Sequence, residues 1–403
     1  MEDRLQRAPS VLSRKLLLAF RAIVRAFCKA YGIVTLEKKT MSNKDKDAAA
    51  AQHQLLGIEQ ETERFVRTAH PDAQWFGSAG LGLFIHWGIS SVHGGIDISW
   101  GMMANTPWDA HQANRNKITP EEYFGLADRF APEQYDPDRW LAPAAKAGFT
   151  YAVMTTRHHD GYAMWPSEYG SFGTKTHLGG RDLVQPYVEA CRRNGLKVGL
   201  YYSPPDWYWN RQYMTFNYKS RKKAHSPDQP EYGLRHEVVT IPPKPDGWDA
   251  RYQAYVRAQV IELLTRYQPD LLWFDGGPNV ISIEEIREYN PGIVVNPRMH
   301  GYGDFKTPEC RMPEAPIDGW WELCEIWPAC GWGYEIEDGE KYKSLEWFLG
   351  RLRQVRKWNG NYLINVAPRP DGSLPDAYYA RITELTAMGG FQQLDQQWKS
   401  ESP

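Results

Sequence analysis

Short apolar runs recur along the chain from about residue 75 onwards, each separated from the next by a longer stretch of mixed polarity. Such runs predict strands buried on both faces, as in a parallel sheet. The predicted strands cover residues 80–86, 150–155, 197–202, 270–274, 292–296, 321–326 and 362–366. The stretches between them predict helices over residues 120–130, 143–147, 183–194, 250–267 and 344–358. This alternation indicates an α/β fold, and the strand number is typical of a (β/α)8 barrel.

A doubly wound sheet is the alternative fold for the same pattern. Nucleotide-binding sheets of that class carry G-x-G-x-x-G or G-x-x-x-x-G-K-[ST] directly after a strand. Neither motif follows any predicted strand here. The barrel is therefore the favoured prediction.

The chain is predicted to comprise a leader and one catalytic domain. Residues 1–54 form the leader, which we expect to be partly helical or disordered. Its most apolar part, residues 12–31, has the pattern of a basic amphipathic helix, and its Lys and Arg residues interrupt it too often for a membrane span. Met41 opens a plausible N terminus of its own. Residues 55–403 form the barrel, with a long polar insertion over residues 210–247.

Composition narrows the function classes. The 403 residues carry a formal net charge of −2, so the chain has no basic field to attract nucleic acid. Its five cysteines are scattered without a C-x-x-C pair, which argues against a disulfide framework and a thiolate zinc site. No signal peptide is recognised, so we expect a cytoplasmic protein, of bacterial origin.

Polar residues stand at the carboxyl ends of the predicted strands, where barrel enzymes collect their chemistry. These residues are His86, His158, His159, Tyr201, Asp275 and Arg298. Burying such groups without partners costs several kcal/mol each, so stability alone explains the set poorly. Asp275 follows an apolar strand that also supplies Trp273. A carboxylate of this kind plus a second carboxyl group is the minimum for glycoside hydrolysis, and the chain's 17 tryptophans offer platforms for sugar rings.

Two other function classes fit parts of this pattern. His86, His158, His159 and Asp275 are residue types that bind zinc, which suggests a metal-dependent barrel hydrolase. The first strand, however, ends in a single histidine rather than an H-x-H pair, and H-E-x-x-H is absent from the sequence. A carbohydrate-binding module is the third class, and it would need neither two carboxyl groups nor a full barrel.

Several longer motifs resemble the alpha-L-fucosidase family of retaining glycoside hydrolases, in that family's order. They include G-L-F-I-H-W-G at 82–88, T-T-R-H-H-D-G-Y-A-M-W at 155–165, R-D-L-V at 181–184, G-L-Y-Y-S at 199–203, L-L-W-F-D-G at 271–276, G-D-F-K-T-P-E at 303–309, W-E-L-C at 321–324 and N-G-N-Y-L-I-N-V-A-P-R-P-D-G at 359–372. The resemblance implies an exo-glycosidase that releases terminal α-L-fucose from fucosylated glycans without a metal or organic cofactor.

The resemblance also implies residue roles. Asp275 would be the nucleophile, and Glu309 the acid/base, with Glu322 as the second choice. The residues expected to hold the sugar are His86, Trp100, His158, His159, Tyr201, Trp273 and Arg298.

Two departures from the family pattern bear on these expectations. Ser99 precedes Trp100 where many relatives have an acidic residue, which leaves open the contact to the sugar's 4-hydroxyl and the linkage preference. A related specificity, such as for an α-L-galactoside, also stays open. Relatives usually continue into a C-terminal β-sandwich, whereas this chain ends at Pro403. We therefore expect Leu385, Phe391 and Trp398 to face solvent or another subunit, and the protein to be a homo-oligomer.

Overall fold

A computed structural model of the protein describes residues 66–106, 117–219, 229–329 and 331–401. The predicted leader over residues 1–54 lies outside these ranges, as do Cys28, Cys330 and most of the basic run in the insertion. Within the described ranges, every helix is too short or too polar to cross a membrane.

The described chain forms an α/β fold around a parallel sheet that confirms the predicted strand pattern. Its strands are β1 (Leu81–Ile85), β2 (Tyr151–Arg157), β3 (Lys197–Tyr202), β4 (Glu231–Tyr232), β5 (Val238–Val239), β6 (Leu271–Phe274), β7 (Val294–Val295), β8 (Glu322–Ile326) and β9 (Asn361–Val366). Seven of them pair in the order β7-β6-β3-β2-β1-β9-β8, with every neighbouring pair parallel. Nearly every residue in these seven strands is buried, because helices cover one face of the sheet and side chains fill the other.

Helices separate most of the strands, as the sequence pattern predicts. They are α1 (Pro120–Phe124), α2 (Pro137–Lys146), α3 (Thr174–His177), α4 (Val184–Arg193), α5 (Trp248–Tyr267), α6 (Ile283–Tyr289), α7 (Leu345–Lys357), α8 (Asp376–Ala387) and α9 (Gly390–Ser400). The helix predicted over residues 120–130 is α1 followed by a 3-10 helix, Gly125–Arg129. Helix α2 begins six residues before its predicted start, because the Asp136 side chain caps it and Pro137 occupies its first turn.

The two edge strands of the sheet, β7 and β8, are joined by residues 304–310, here called the bridging segment. On one side, the Asp304 N–H donates to the Val295 carbonyl at 2.8 Å. On the other, the N–H groups of Glu322 and Cys324 donate to carbonyls of the segment at 2.8 and 3.1 Å. The sequence predicts no strand here, because the segment is polar and contains a proline.

The C-terminal helices bury apolar residues that were expected to be exposed. Leu385 is 0 % exposed and Phe391 only 4 %, and Trp398 packs half-buried against the core. Phe391 fills the space beside Gly80, and an ion pair of 2.9 Å between Arg356 and Asp395 ties α7 to α9. The expectation that Leu385 and Phe391 face solvent or another subunit is therefore wrong.

The described part of the polar insertion packs against a loop near the carboxyl end of the sheet. Its strands β4 and β5 form an antiparallel hairpin. The Phe216 N–H donates to the Tyr232 carbonyl in this hairpin, and the Ala104 N–H donates to the Phe216 carbonyl at 2.9 Å. The His236 ring also contacts the Met102 carbonyl at 2.9 Å. The insertion is therefore hydrogen-bonded to the end of the 3-10 helix Ile98–Met102 and to the residues after it.

Candidate active site

The carboxyl ends of the strands surround one pocket with an empty volume of about 360 Å³. Its lining residues are Phe84, His86, Ile98, Trp100, His158, Tyr201, Trp273, Asp275, Arg298, Glu309 and Trp332. Eight of the ten residues predicted for the site line this pocket. The other two, His159 and Glu322, lie directly behind its wall.

Asp275 follows β6 and enters the pocket with both carboxylate oxygens engaged. Its backbone N–H donates to the Tyr202 carbonyl at 3.1 Å, which extends the pairing of β6 with β3 by one residue. Oδ2 accepts a hydrogen bond from the Tyr201 hydroxyl at 2.8 Å, and Oδ1 accepts one from Arg298 at 3.1 Å. These two donors fix the direction in which the carboxylate faces the pocket.

Arg298 contacts both carboxyl groups of the predicted catalytic pair. Its Nη1 lies 3.1 Å from Asp275 Oδ1, and its Nη2 lies 2.7 Å from Glu309 Oε2. Nε donates to the Thr307 hydroxyl at 3.2 Å, so the guanidinium is also tied to the bridging segment. One buried cation therefore holds Asp275 and Glu309 close together, although they come from separate parts of the chain.

Glu322 is 0 % exposed and lies beneath the pocket rather than in its lining. The Tyr151 hydroxyl donates to its Oε2 at 2.5 Å, and the Trp273 indole N–H donates to its Oε1 at 3.0 Å. Burial raises the pKa of its carboxyl group to about 7, against the hydrogen bonds, which lower it. Because Trp273 separates it from the cavity, its geometry disfavours direct proton transfer to a bound sugar.

The orientation of His86 can be read from its neighbours. His86 Nδ1 lies 2.7 Å from Asn365 Oδ1, while the Asn365 amide nitrogen donates to the Trp332 carbonyl at 2.8 Å. The Asn365 oxygen must then accept, so His86 Nδ1 carries the proton and Nε2 is left as an acceptor. Burial lowers the pKa of His86 to about 4, which keeps this ring neutral at neutral pH.

The adjacent histidines after β2 are held by separate serines. His158 Nδ1 lies 2.6 Å from the Ser99 hydroxyl, and His159 Nδ1 lies 2.6 Å from the Ser203 hydroxyl. The other ring nitrogen of His159, Nε2, lies 3.6 Å from Asp275 Oδ2. Burial lowers the pKa of His158 well below its usual value. His158 therefore offers a neutral ring to the pocket, and His159 backs Asp275.

A sequence model described as Alpha-L-fucosidase matches residues 47–394, which is most of the chain. The chain belongs to the alpha-L-fucosidase family. The resemblance in the sequence motifs is confirmed.

Individual members of the alpha-L-fucosidase family match over the same region. Tissue alpha-L-fucosidase from Bos taurus is 28 % identical over 341 residues, which are 78 % of this chain and 66 % of the bovine protein. This chain therefore spans about two thirds of that relative's length. Alpha-L-fucosidase isoenzyme 1 from Paenibacillus thiaminolyticus has a TM-score of 0.62 and 30 % identity, covering 79 % of this chain and 75 % of its own. The Thermotoga maritima alpha-fucosidase in complex with fucose has a TM-score of 0.58 and 28 % identity, covering 78 % and 73 %.

Three lining residues of this alpha-L-fucosidase family member were not predicted as site residues. Phe84 is two positions before His86 on the same strand, so the alternation of side chains could have assigned it to the same face. Trp332 is held by its backbone N–H, which donates to Asp97 at 2.7 Å, a contact that sequence spacing does not reveal. Ile98 has a φ of 46°, an unusual value for a β-branched residue, and no sequence signal marks it.

The metal-ligand hypothesis can be examined on the same geometry. His158, His159 and Asp275 each place a ligand atom within 4.8 Å of the others. Asp275 is already paired with the Arg298 guanidinium and the Tyr201 hydroxyl. A divalent cation bound by this carboxylate would be repelled by the adjacent guanidinium. The donor set therefore suits a neutral, hydroxyl-rich ligand better than a metal ion.

Proposed function

We propose that this protein is a retaining exo-glycosidase that releases terminal α-L-fucose from fucosylated oligosaccharides or glycoconjugates. The observation that carries this proposal is the guanidinium of Arg298, which holds Asp275 and Glu309 together in the wall of the pocket. Family membership supports the sugar identity, as does the fucose bound to the Thermotoga maritima relative.

In the first step, Asp275 attacks the anomeric carbon while Glu309 donates its proton to the glycosidic oxygen. The C–O bond to the leaving group breaks and an ester to Asp275 forms. In the second step, Glu309 takes a proton from water, whose oxygen attacks the same carbon and releases Asp275. Retaining pairs lie about 5–5.5 Å apart, whereas inverting pairs leave room for a water between them. Contact with a single guanidinium favours the shorter separation.

We further propose that the sheet is the wall of a (β/α)8 barrel in which the bridging segment takes the place of the eighth strand. The hydrogen bonds from this segment to both β7 and β8 support this view. The segment carries Glu309, so in this proposal the acid/base side chain comes from the closing element of the barrel.

A screen of nitrophenyl glycosides, run with and without a chelator, tests the function. We expect hydrolysis of the α-L-fucoside that survives chelation. Activity lost to the chelator would instead favour the metal-dependent hydrolase. A higher rate on the α-L-galactoside would move the specificity to that sugar.

The homo-oligomer stays a prediction, and so does the cytoplasmic location. Two of the residues expected on the apolar face that motivated the oligomer, Leu385 and Phe391, are buried within the chain. Light scattering on the purified protein tests the homo-oligomer prediction, and a mass near 46.4 kDa at all concentrations would contradict it.

A further inference from the structure

The buried carboxyl group of Glu322 has no role in the mechanism proposed above, yet it is held by two hydrogen bonds and by its strand. Its backbone N–H donates to the bridging segment, and its residue pairs with Asn361 of β9. Oε2 accepts from Tyr151 and Oε1 accepts from Trp273. Placing a carboxyl group in the core costs free energy, which its raised pKa reflects. Such a group calls for an explanation beyond packing.

Trp273 connects Glu322 to the pocket. The indole ring lines the cavity on one side, and its N–H points at Glu322 on the other. Phe84 packs against the ring with centroids 5.1 Å apart. Because an indole has a single polar atom, the bond to Glu322 is the directional contact that sets the tilt of the ring in its apolar surroundings.

Both hydrogen-bond donors to Asp275 rest on this indole. The Arg298 guanidinium carbon lies 4.4 Å from the centre of the Trp273 ring, a cation–π contact. The Tyr201 ring stacks on the same indole with centroids 5.6 Å apart and planes within 17°. A change in the tilt of the indole would therefore displace the groups that orient the nucleophile, and through Arg298 also Glu309.

We infer that Glu322 is a positioning residue, whose carboxyl oxygen fixes the Trp273 indole and thereby the donors that align Asp275 and Glu309. This inference rests on the proposed function and gives Glu322 the role of a hydrogen-bond acceptor instead of a proton donor to the sugar. It requires that any side chain at position 322 with an oxygen that accepts the Trp273 N–H should support catalysis, whether or not that side chain can ionise.

The test compares kcat and KM of Glu322→Gln and Glu322→Met on 4-nitrophenyl α-L-fucoside. Gln keeps an oxygen for the indole N–H, so we expect kcat within about threefold of the wild type. Met has a similar size without an acceptor, so we expect kcat to fall about tenfold or more with KM little changed. If both variants lose kcat equally, and lose more on natural oligosaccharides than on the aryl fucoside, the inference is overturned and Glu322 is the acid/base.

A double-mutant cycle with Trp273→Phe tests the path through the indole. Phe keeps a ring but removes the N–H, so Trp273→Phe should lower kcat about as much as Glu322→Met. In the Trp273→Phe background, Glu322→Met should lower kcat little further, because the indole N–H that Glu322 accepts from is already gone. If the double variant loses kcat by the product of the two single losses, the two residues act independently and the proposed route through the indole is refuted. If Glu322→Met does not fold, a Trp273→Phe variant with wild-type kcat refutes it equally.

Glu325 supplies the matched control. It is a second buried carboxyl group on β8, and it accepts hydrogen bonds from Arg351 at 2.7 Å and from Tyr362 at 2.8 Å, away from the pocket lining. Glu325→Met should lower the melting temperature and leave kcat unchanged in the folded protein. If wild-type protein hydrolyses no fucoside, the proposed function fails as well. If it is active but Glu325→Met lowers kcat as Glu322→Met does, only the inference fails.

Discussion

Each of the three histidines at the site uses Nδ1 to contact a different side chain. The partners are Asn365, Ser99 and Ser203, at 2.6–2.7 Å. This arrangement fixes the ring planes before a sugar binds, so little orientational freedom remains to be lost on binding. Sequence analysis identifies the histidines from the strand ends, but each partner lies at least 44 positions away along the chain, so sequence spacing does not pair it with its histidine.

At the residue scale, the first prediction concerns the nucleophile. Asp275→Gly removes the attacking carboxylate while the sugar-binding side chains remain, so the rate should fall by about 10³-fold or more. Added azide should occupy the vacated space, restore turnover and give the β-configured fucosyl azide. Product analysis by NMR checks this. Near-wild-type activity of Asp275→Gly would contradict the double-displacement mechanism.

The second prediction separates the two glutamates. Protonation of the leaving group matters most when that group is a poor one. Glu309→Ala should therefore slow natural oligosaccharides far more than aryl fucosides. Glu322→Ala should produce a smaller loss that is uniform across substrates. Steady-state rates on both substrate types decide the matter, and the reverse pattern would transfer the acid/base role to Glu322.

The third prediction is a pH dependence of stability. The pKa of Glu322 is about 7 in the folded protein and 4.5 without burial. As pH rises from 4.5 to 7, the unfolded chain ionises before the folded one, so this group destabilises the fold by up to about 3 kcal/mol above pH 7. Below pH 4.5 both states are protonated and the cost vanishes. The amide introduced by Glu322→Gln does not ionise, so in that variant this cost is absent at every pH.

Melting temperatures of wild type and Glu322→Gln, measured across pH 4 to 8, check the third prediction. As the pH rises, the melting temperature of Glu322→Gln should increase relative to that of the wild type. A difference that is constant with pH would show that the pKa of Glu322 is not raised in the fold.

At the scale of elements, strands buried on both faces are recovered from the sequence to within one or two residues at most ends. Their apolar runs are continuous, so burial leaves an unambiguous pattern. The bridging segment and the β4–β5 hairpin are missed because main-chain hydrogen bonds to distant strands or loops hold them in place. Main-chain bonding of this kind has no counterpart in side-chain patterning.

The fourth prediction concerns the hairpin, whose His236 ring contacts the Met102 carbonyl two residues after Trp100. His236 has a φ of 56°, so His236→Gly suits the backbone while it removes the ring. Losing one hydrogen bond of about 1 kcal/mol should loosen the loop that carries Trp100 and raise KM up to about fivefold, with kcat unchanged. The control is Arg235→Ala, which breaks only an exposed ion pair with Glu121. A fall in kcat at constant KM would contradict this role.

At the scale of the whole molecule, Asp304 connects the start of the described chain, at Thr68, to helix α6 and strand β7. Its carboxylate accepts from the Thr68 N–H at 2.9 Å, from Arg287 in α6 at 2.8 Å and from the Val295 N–H at 2.9 Å. The same residue begins the bridging segment, so its contacts anchor that segment to the β7 edge of the sheet.

The fifth prediction follows from this junction. Asp304→Ala leaves buried N–H groups without an acceptor and should lower the free energy of unfolding by about 3 kcal/mol or more. Asp304→Asn keeps one oxygen and should lose less. Urea unfolding followed by tryptophan fluorescence measures both. Equal stability of Asp304→Ala and wild type would show that the fold does not depend on these contacts of Asp304.

The pocket has a consequence for how the protein refolds. Its walls draw on positions from Phe84 to Trp332, so more than half of the 403 residues separate the first contributor from the last. Contacts between such remote positions form slowly, because the loops that they close are long. Enzymatic turnover should therefore return only with the slowest phase after dilution from denaturant, well after helical signals have recovered. A fucoside assay would then report completion of the fold, which circular dichroism alone would register too early.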